Sequence, residues 1–117
     1  MLVSKAEAEA RICYLISEGL WTKVGITKTD HSLHRRLQNL QSGNARKLTI
    51  KHQWQFYHDM EAYNYEQKLL NGLSTYRADP DSEWVCLTPR QIIHFIETGE
   101  VSHTSHDLIE QLYGGEQ

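Results

Sequence analysis

Four side chains in this 117-residue sequence raise a question of chemistry by their type and position: Tyr14, Lys23, Arg36 and Glu66. Glu66 falls in the middle of an apolar stripe at helical spacing, Ala62, Tyr63, Glu66, Leu69, Leu70 and Leu73. A carboxylate on a core-facing stripe is costly unless a cation, a metal or hydrogen bonds compensate it. The plain alternative is a partly exposed Glu66 paired with a neighbouring base. Arg36 completes the i, i+3, i+4, i+7 pattern of Leu33, Leu37 and Leu40, whereas Arg35 is turned by about 100° around the helix axis. Arg36 is therefore expected along the inward edge, where its fork of donors suits a phosphate, and Arg35 in solvent. Tyr14 lies in the apolar run 11–17. Lys23 lies in the alternating run 21–28, where Val24 and Ile26 share one face and Lys23, Gly25 and Thr27 the other. If the two runs pair as strands, Tyr14 and Lys23 share a face.

The elements that must position these groups follow from periodicity and caps. Ser17, Glu18 and Gly19 supply turn chemistry between the two strands. Ser4 with Glu7 forms a capping box for a short helix over 4–10. Thr29, Asp30 and Ser32 offer N-caps to a helix of about ten residues that ends near Ser42 and Gly43. A third strand is predicted over 48–57, with Leu48, Ile50, His52, Trp54 and Phe56 alternating on one face. Asp59 is the expected cap of a helix over 60–76. Residues 77–83 read as a polar loop and 84–87 as a short strand. Thr88 and Pro89 then open a helix carrying Ile92, Ile93 and Ile96 that stops before Gly99. Ser105 is a candidate cap for a last helix with Leu108, Ile109 and Leu112, which would either close the core or form a homodimer contact. The order ββαβα, then βα, predicts an α/β (α+β) sandwich around a small, largely antiparallel three-stranded central sheet flanked by helices. A single domain is expected over 1–117, with its core over about 11–97 and a helical extension over 98–117.

Composition bounds the function. Apolar content of 39% and charged content of 23% are those of an ordinary soluble globular protein. No run approaches a membrane span and the N-terminus does not read as a signal peptide, so a cytoplasmic protein without membrane partners is expected. Cys13 and Cys86 each lie in a strand-like apolar run and are expected to be reduced core residues. The formal net charge of −3 hides an asymmetry: residues 1–20 sum to −1, 21–58 to +6 and 59–117 to −8. The middle third could thus build a basic surface facing a polyanion, or the solvated faces could differ by chance. His31 and His34 invite a zinc reading, but nothing else at ligand spacing supports four-coordination. Trp21, Trp54 and Trp84 could stack on bases, although Trp54 alternates with core residues and reads as packed.

Ile12-Cys13-Tyr14, Lys23-Val24-Gly25-Ile26-Thr27, Arg36-Leu37-Gln38-Asn39-Leu40-Gln41-Ser42-Gly43, Tyr65-Glu66-Gln67 and Glu83-Trp84-Val85 together resemble the GIY-YIG nuclease superfamily. The likeness is strongest to its compact branch, common in phage and large-virus proteins, and runs over about 11–97. By resemblance, Tyr14 is the first tyrosine of the site, Lys23 stands at the second, Gly25 is kept, Arg36 is the helix arginine, Glu66 is the metal-binding glutamate and Glu83-Trp84 matches a late Glu-Trp. Loss of the second tyrosine departs from the general pattern.

The resemblance implies a metal-dependent endonuclease acting on DNA. Glu66 would bind one Mg²⁺ or Mn²⁺, Arg36 would hold the scissile phosphate and Tyr14 would take a proton from the attacking water. Lys23 is expected to lower the Tyr14 pKa, since a nearby cation favours phenolate. Gly25, Thr27, Lys28, His31, His34, Arg35, Arg46 and Lys47 are the expected substrate-binding residues. The alternative is a GIY-YIG-like module that does not cleave and binds nucleic acid, a nucleotide or a protein, for instance as a phage modulator of host defence.

Overall fold

The apolar run of the first strand organises the molecule: all six residues of β1 (Ile12–Ser17) are buried. The computed structural model describes residues 2–102. Strand β2 (Thr22–Thr27) pairs antiparallel with one edge of β1, and β3 (Thr49–Gln55) antiparallel with the other. A two-residue strand, β4 (Trp84–Val85), adds to the far side of β2, so the sheet order is β3-β1-β2-β4. The sheet is antiparallel throughout, as expected, but has four strands rather than three. The fourth is short because only Thr22 and Lys23 pair with it.

Helices cover both faces, which is why β1 is buried on both sides rather than alternating. On one face Ile12, Tyr14 and Ile16 pack with Leu33 of α2 (Asp30–Ser42) and with Leu48, flanked by Leu37, Leu40, Ile50 and Trp84. On the other, Cys13, Leu15 and Val24 pack with Leu69, Leu70 and Leu73 from α3 (Glu61–Gly72) and the residue after it. Ile92 of α4 (Pro89–Thr98) completes that layer. A short α1 (Lys5–Glu9) precedes β1 and carries the Ser4–Glu7 capping box.

Helix α2 begins as the sequence implies: Thr29 Oγ1 accepts the Ser32 N–H at 3.0 Å, and Ser32 Oγ accepts the Thr29 N–H at 3.0 Å. Helix α4 likewise carries a Thr88–Gln91 capping box with proline in its first turn.

Four expectations are corrected. The alternation of the third strand is broken by a bulge: Leu15 faces His52 and Ile16 faces Ile50, leaving Lys51 as the extra residue. Leu48 and Ile50 therefore join the α2 face, while Trp54 and Phe56 join the α3 face. One inserted residue reverses the inward parity of a strand.

Asp59 does not cap α3. It pairs with Arg11 at 2.6 Å, and the cap position is Met60, in left-handed backbone at φ 74° with its N–H donating to the Ala8 carbonyl at 2.7 Å. Helix α3 ends at Gly72, short of 76, and Ser74–Tyr76 forms a 3₁₀ turn.

Cys86 is exposed rather than core, while Cys13 is buried; both are free thiols. The expected last helix lies outside the described residues. Among the described residues no helix is long and apolar enough to cross a membrane.

Candidate active site

The pairing of β1 with β2 sets the site. Tyr14 lies directly opposite Gly25, and Ile16 opposite Lys23, so Tyr14 and Lys23 share a face of the sheet. The Tyr14 ring lies over Gly25. A Cβ at position 25 would come 2.9 Å from Tyr14 Cε1 and closer still to Cζ and the phenol oxygen. Only glycine lets the ring cross β2 in this way. The phenol thereby reaches the edge of β2 beyond the two residues that β4 covers.

A cleft of about 390 Å³ opens at that edge, with Tyr14, Arg36 and Glu83 among its walls. Thr27 and Lys28 at the end of β2 and Ser32 on α2 also line it, and Thr27 Oγ1 lies 2.6 Å from Ser32 Oγ. Arg36 stands three residues after the buried Leu33, so it emerges at the margin of the α2 contact. Its guanidinium has no carboxylate partner among the described residues. Arg35 is also exposed and lines a neighbouring hollow of about 360 Å³ with Arg36 and Asn39. Both arginines are exposed, so the expected inward–outward distinction between them is not met; Arg36 borders both hollows and Arg35 only the second.

Lys23 is 8% exposed, with its backbone between Ile16 and Trp84 in the sheet. Its ammonium bonds Glu83 Oε1. Glu83 is held in turn: its carbonyl accepts the Val24 N–H at 2.9 Å, and the loop before it is braced by Arg77 Nε donating to the Ser82 carbonyl at 2.7 Å.

Glu66 reaches the same place from the other layer. It is 2% exposed, Oε1 accepts from Gln67 Nε2 at 3.1 Å, and Oε2 is buried with no hydrogen-bond partner. The partly exposed, base-paired Glu66 of the plain alternative is not what is observed. Burial pushes its pKa up to about 7, and the neighbouring Glu83 carboxylate raises it further than Gln67 and Lys23 lower it. The two carboxyls lie close enough to share a proton when one is present. Glu66 does not itself form a wall of the cleft, and its helix packs on the face of the sheet opposite Tyr14; Glu83, with which it interacts, is a wall.

The Tyr14 phenol is pushed up to about 12, first by burial and then by the charges of Glu83 and Glu66, against the lowering effect of Arg36. The cation acting on Tyr14 is thus Arg36, and the expectation that Lys23 lowers its pKa is not met. Lys23 is engaged with Glu83 instead.

The other anticipated contacts divide. Gly25 seats the ring, and Thr27 and Lys28 line the cleft, Lys28 with its ammonium 3.4 Å from Glu9. His31 and His34 are exposed and are not among the cleft walls; His34 Nδ1 sits 2.9 Å from the Asp30 carbonyl. Arg46 pairs with Glu18 at 3.1 Å at the hairpin end of the sheet, away from Thr27, and the neighbouring Lys47 is exposed. Trp54 packs on Tyr65 with ring centroids 5.2 Å apart, whereas Trp21 and Trp84 border a separate hollow.

Two contributions were missed. Glu83 enters the sequence pattern only within Glu83-Trp84-Val85, although a lysine on a buried strand demands an acidic partner. Glu7 and Glu9 of α1 stand on the cleft rim, and nothing in their spacing signals it.

Among the described residues no three His, Cys, Asp or Glu converge as a metal centre. The orphaned Glu66 Oε2 beside Glu83 is nevertheless an oxygen set of the kind a hard divalent cation takes, with water completing its shell. No protein-family model, no curated protein and no solved structure matches this chain.

Proposed function

We propose that this protein is a metal-dependent endonuclease of the GIY-YIG type that hydrolyses DNA phosphodiester bonds. The observation that carries the reading is the Tyr14 phenol laid across Gly25 into a cleft that it shares with the unpaired guanidinium of Arg36. In this reading Arg36 grips the scissile phosphate through two parallel N–H donors. Tyr14, buried and fixed by the sheet, holds the attacking water and accepts its proton. The acceptor is the phenolate form of Tyr14, which Arg36 favours against the burial that raises the phenol, and the proton it takes returns it to the neutral phenol. Lys23 orients Glu83 at the cleft wall. Glu66 would hold Mg²⁺ or Mn²⁺, which when bound supplies charge neutralisation for the phosphate.

Incubating plasmid DNA with the purified chain and Mg²⁺ or Mn²⁺, with and without chelator, tests this. Nicking or linearisation is expected with metal alone, and its loss in Tyr14→Phe, Arg36→Ala and Glu66→Ala. Cleavage that persists in all three variants would sink the assignment.

A binding module that does not cleave is the second reading. It is favoured by Glu7 and Glu9, whose charges stand on the rim where a phosphate must enter. Both are tied down, Glu7 to the Ser4 N–H and Glu9 to Lys28, which limits the opposition they offer. Metal-independent retention of DNA without strand scission would establish that reading instead.

A further inference from the structure

The Glu66 carboxylate poses a problem that its own surroundings do not solve. It is 2% exposed, its Oε2 has no hydrogen-bond partner, and the group beside it is another carboxylate. An unpaired buried charge next to a like charge is among the costliest arrangements in a protein. The one buried base nearby, Lys23, is already bonded to Glu83 Oε1, and among the described residues no donor reaches Glu83 Oε2. Glu66 Oε2 is thus buried without a partner beside a Glu83 carboxylate whose side chain is 43% exposed and is held through Oε1 by Lys23. Glu83 is also the only one of the two carboxylates that forms part of the cleft wall with Tyr14 and Arg36.

We propose that Glu66 and Glu83 together ligate one divalent cation, with Lys23 as the positioning residue that fixes Glu83 from its other oxygen. This rests on reading Glu66 as a cation ligand and adds the residue that brings the cation to the cleft. Held by Glu66 alone, a cation would sit behind the wall; shared with Glu83, it borders the space where Arg36 waits for a phosphate. Charge balance favours the pair. Two carboxylates and the Lys23 ammonium sum to one negative charge, and a dication turns this to one positive charge facing the cleft. One or two carboxylates, with water and substrate oxygens filling the remaining positions, is the usual protein share of a Mg²⁺ shell. The paired oxygens, the bracing lysine and the open side toward the cleft provide that share.

The test uses Mn²⁺ alone as probe on the full chain, with affinity measured by titration calorimetry and by the electron-spin signal of free Mn²⁺. The wild type is expected to bind one ion. Glu66→Gln and Glu83→Gln should each weaken it by about tenfold or more, and the double variant no more than the weaker single one, because both ligands serve one ion. Circular dichroism in chelator verifies that each variant is folded. If Glu83→Gln does not fold, Glu83→Asp keeps the charge but shortens the reach, and its Mn²⁺ affinity must still fall. Wild-type affinity in the Glu83 variants, with loss in Glu66→Gln, would overturn the shared site while leaving Glu66 as a cation ligand. A wild type that binds no Mn²⁺ would overturn both.

Discussion

Replacing Gly25 by alanine tests the geometry on which the site stands, independently of any activity. The added methyl would lie 2.9 Å from Tyr14 Cε1 and nearer to Cζ and the phenol oxygen, all closer than carbon atoms tolerate. Tyr14 is 1% exposed and is packed with Ile12, Ile16 and Leu33, so displacing the ring disturbs that packing. Overpacking of this kind costs about 1–3 kcal/mol. For a domain of this size that is a fall in melting temperature of roughly 3–6 °C per kcal/mol.

The decisive measurement is a double-mutant cycle by urea unfolding. Tyr14→Ala should cost about 3–5 kcal/mol through the cavity it leaves. In that background Gly25→Ala should be close to neutral, since its methyl enters emptied space. A coupling energy of about 1–3 kcal/mol is therefore expected, well above the few tenths seen for independent sites. Additive single effects, or a Gly25→Ala protein as stable as wild type, would refute the stacked ring and with it the route by which the phenol reaches the cleft.

The pH dependence of stability has a definite sign. Glu66 titrates at about 7 in the fold against an ordinary value of 4.5, so the fold favours its protonated form. Stability in chelator should fall as pH rises through that window, by up to about 3 kcal/mol across the coupled carboxyl pair, and Glu66→Gln should flatten the curve. Urea midpoints at pH 5 and pH 8 decide it. Cys86 is exposed, whereas the Cys13 thiol is buried and held well above its ordinary pKa, first by that burial and then by Glu66. An aromatic disulfide reagent should therefore modify one thiol per native chain at once and the second only after denaturation. Arg36→Ala should weaken DNA retention and flatten its salt dependence by about one counterion, while Glu9→Gln should tighten retention by freeing Lys28. Filter binding across a salt series measures both.

Much of the fold is legible locally. The capping box at Ser4, the N-caps at Thr29 and Thr88, the proline after Thr88 and the two runs flanking Gly19 each specify an element through nearest neighbours, and each is present. The third strand shows where such reading stops. Its period of two looks unbroken from Leu48 to Phe56, yet the partner strand admits Lys51 as a bulge, and only the register against β1 reveals it. The cap of α3 fails for a similar reason: Asp59 has a better partner in Arg11, forty-eight positions away.

The sequence by itself pointed to a phenol and an ammonium on one sheet face, on the condition that the two runs pair across the turn at Gly19, and the register that meets this condition is seen in the sheet. It also placed Glu66 on the apolar stripe of its helix, because a helix repeats every 3.6 residues, but left its burial open. The tertiary structure decided which charges meet. Lys23 faces Glu83 rather than the tyrosine, Arg36 acts on the phenol, and Glu66 lies buried against a second carboxylate. Those pairings depend on how far β4 extends along β2 and on the packing of α3 beneath it. Both are set by contacts between segments far apart in the chain, which local periodicity does not encode.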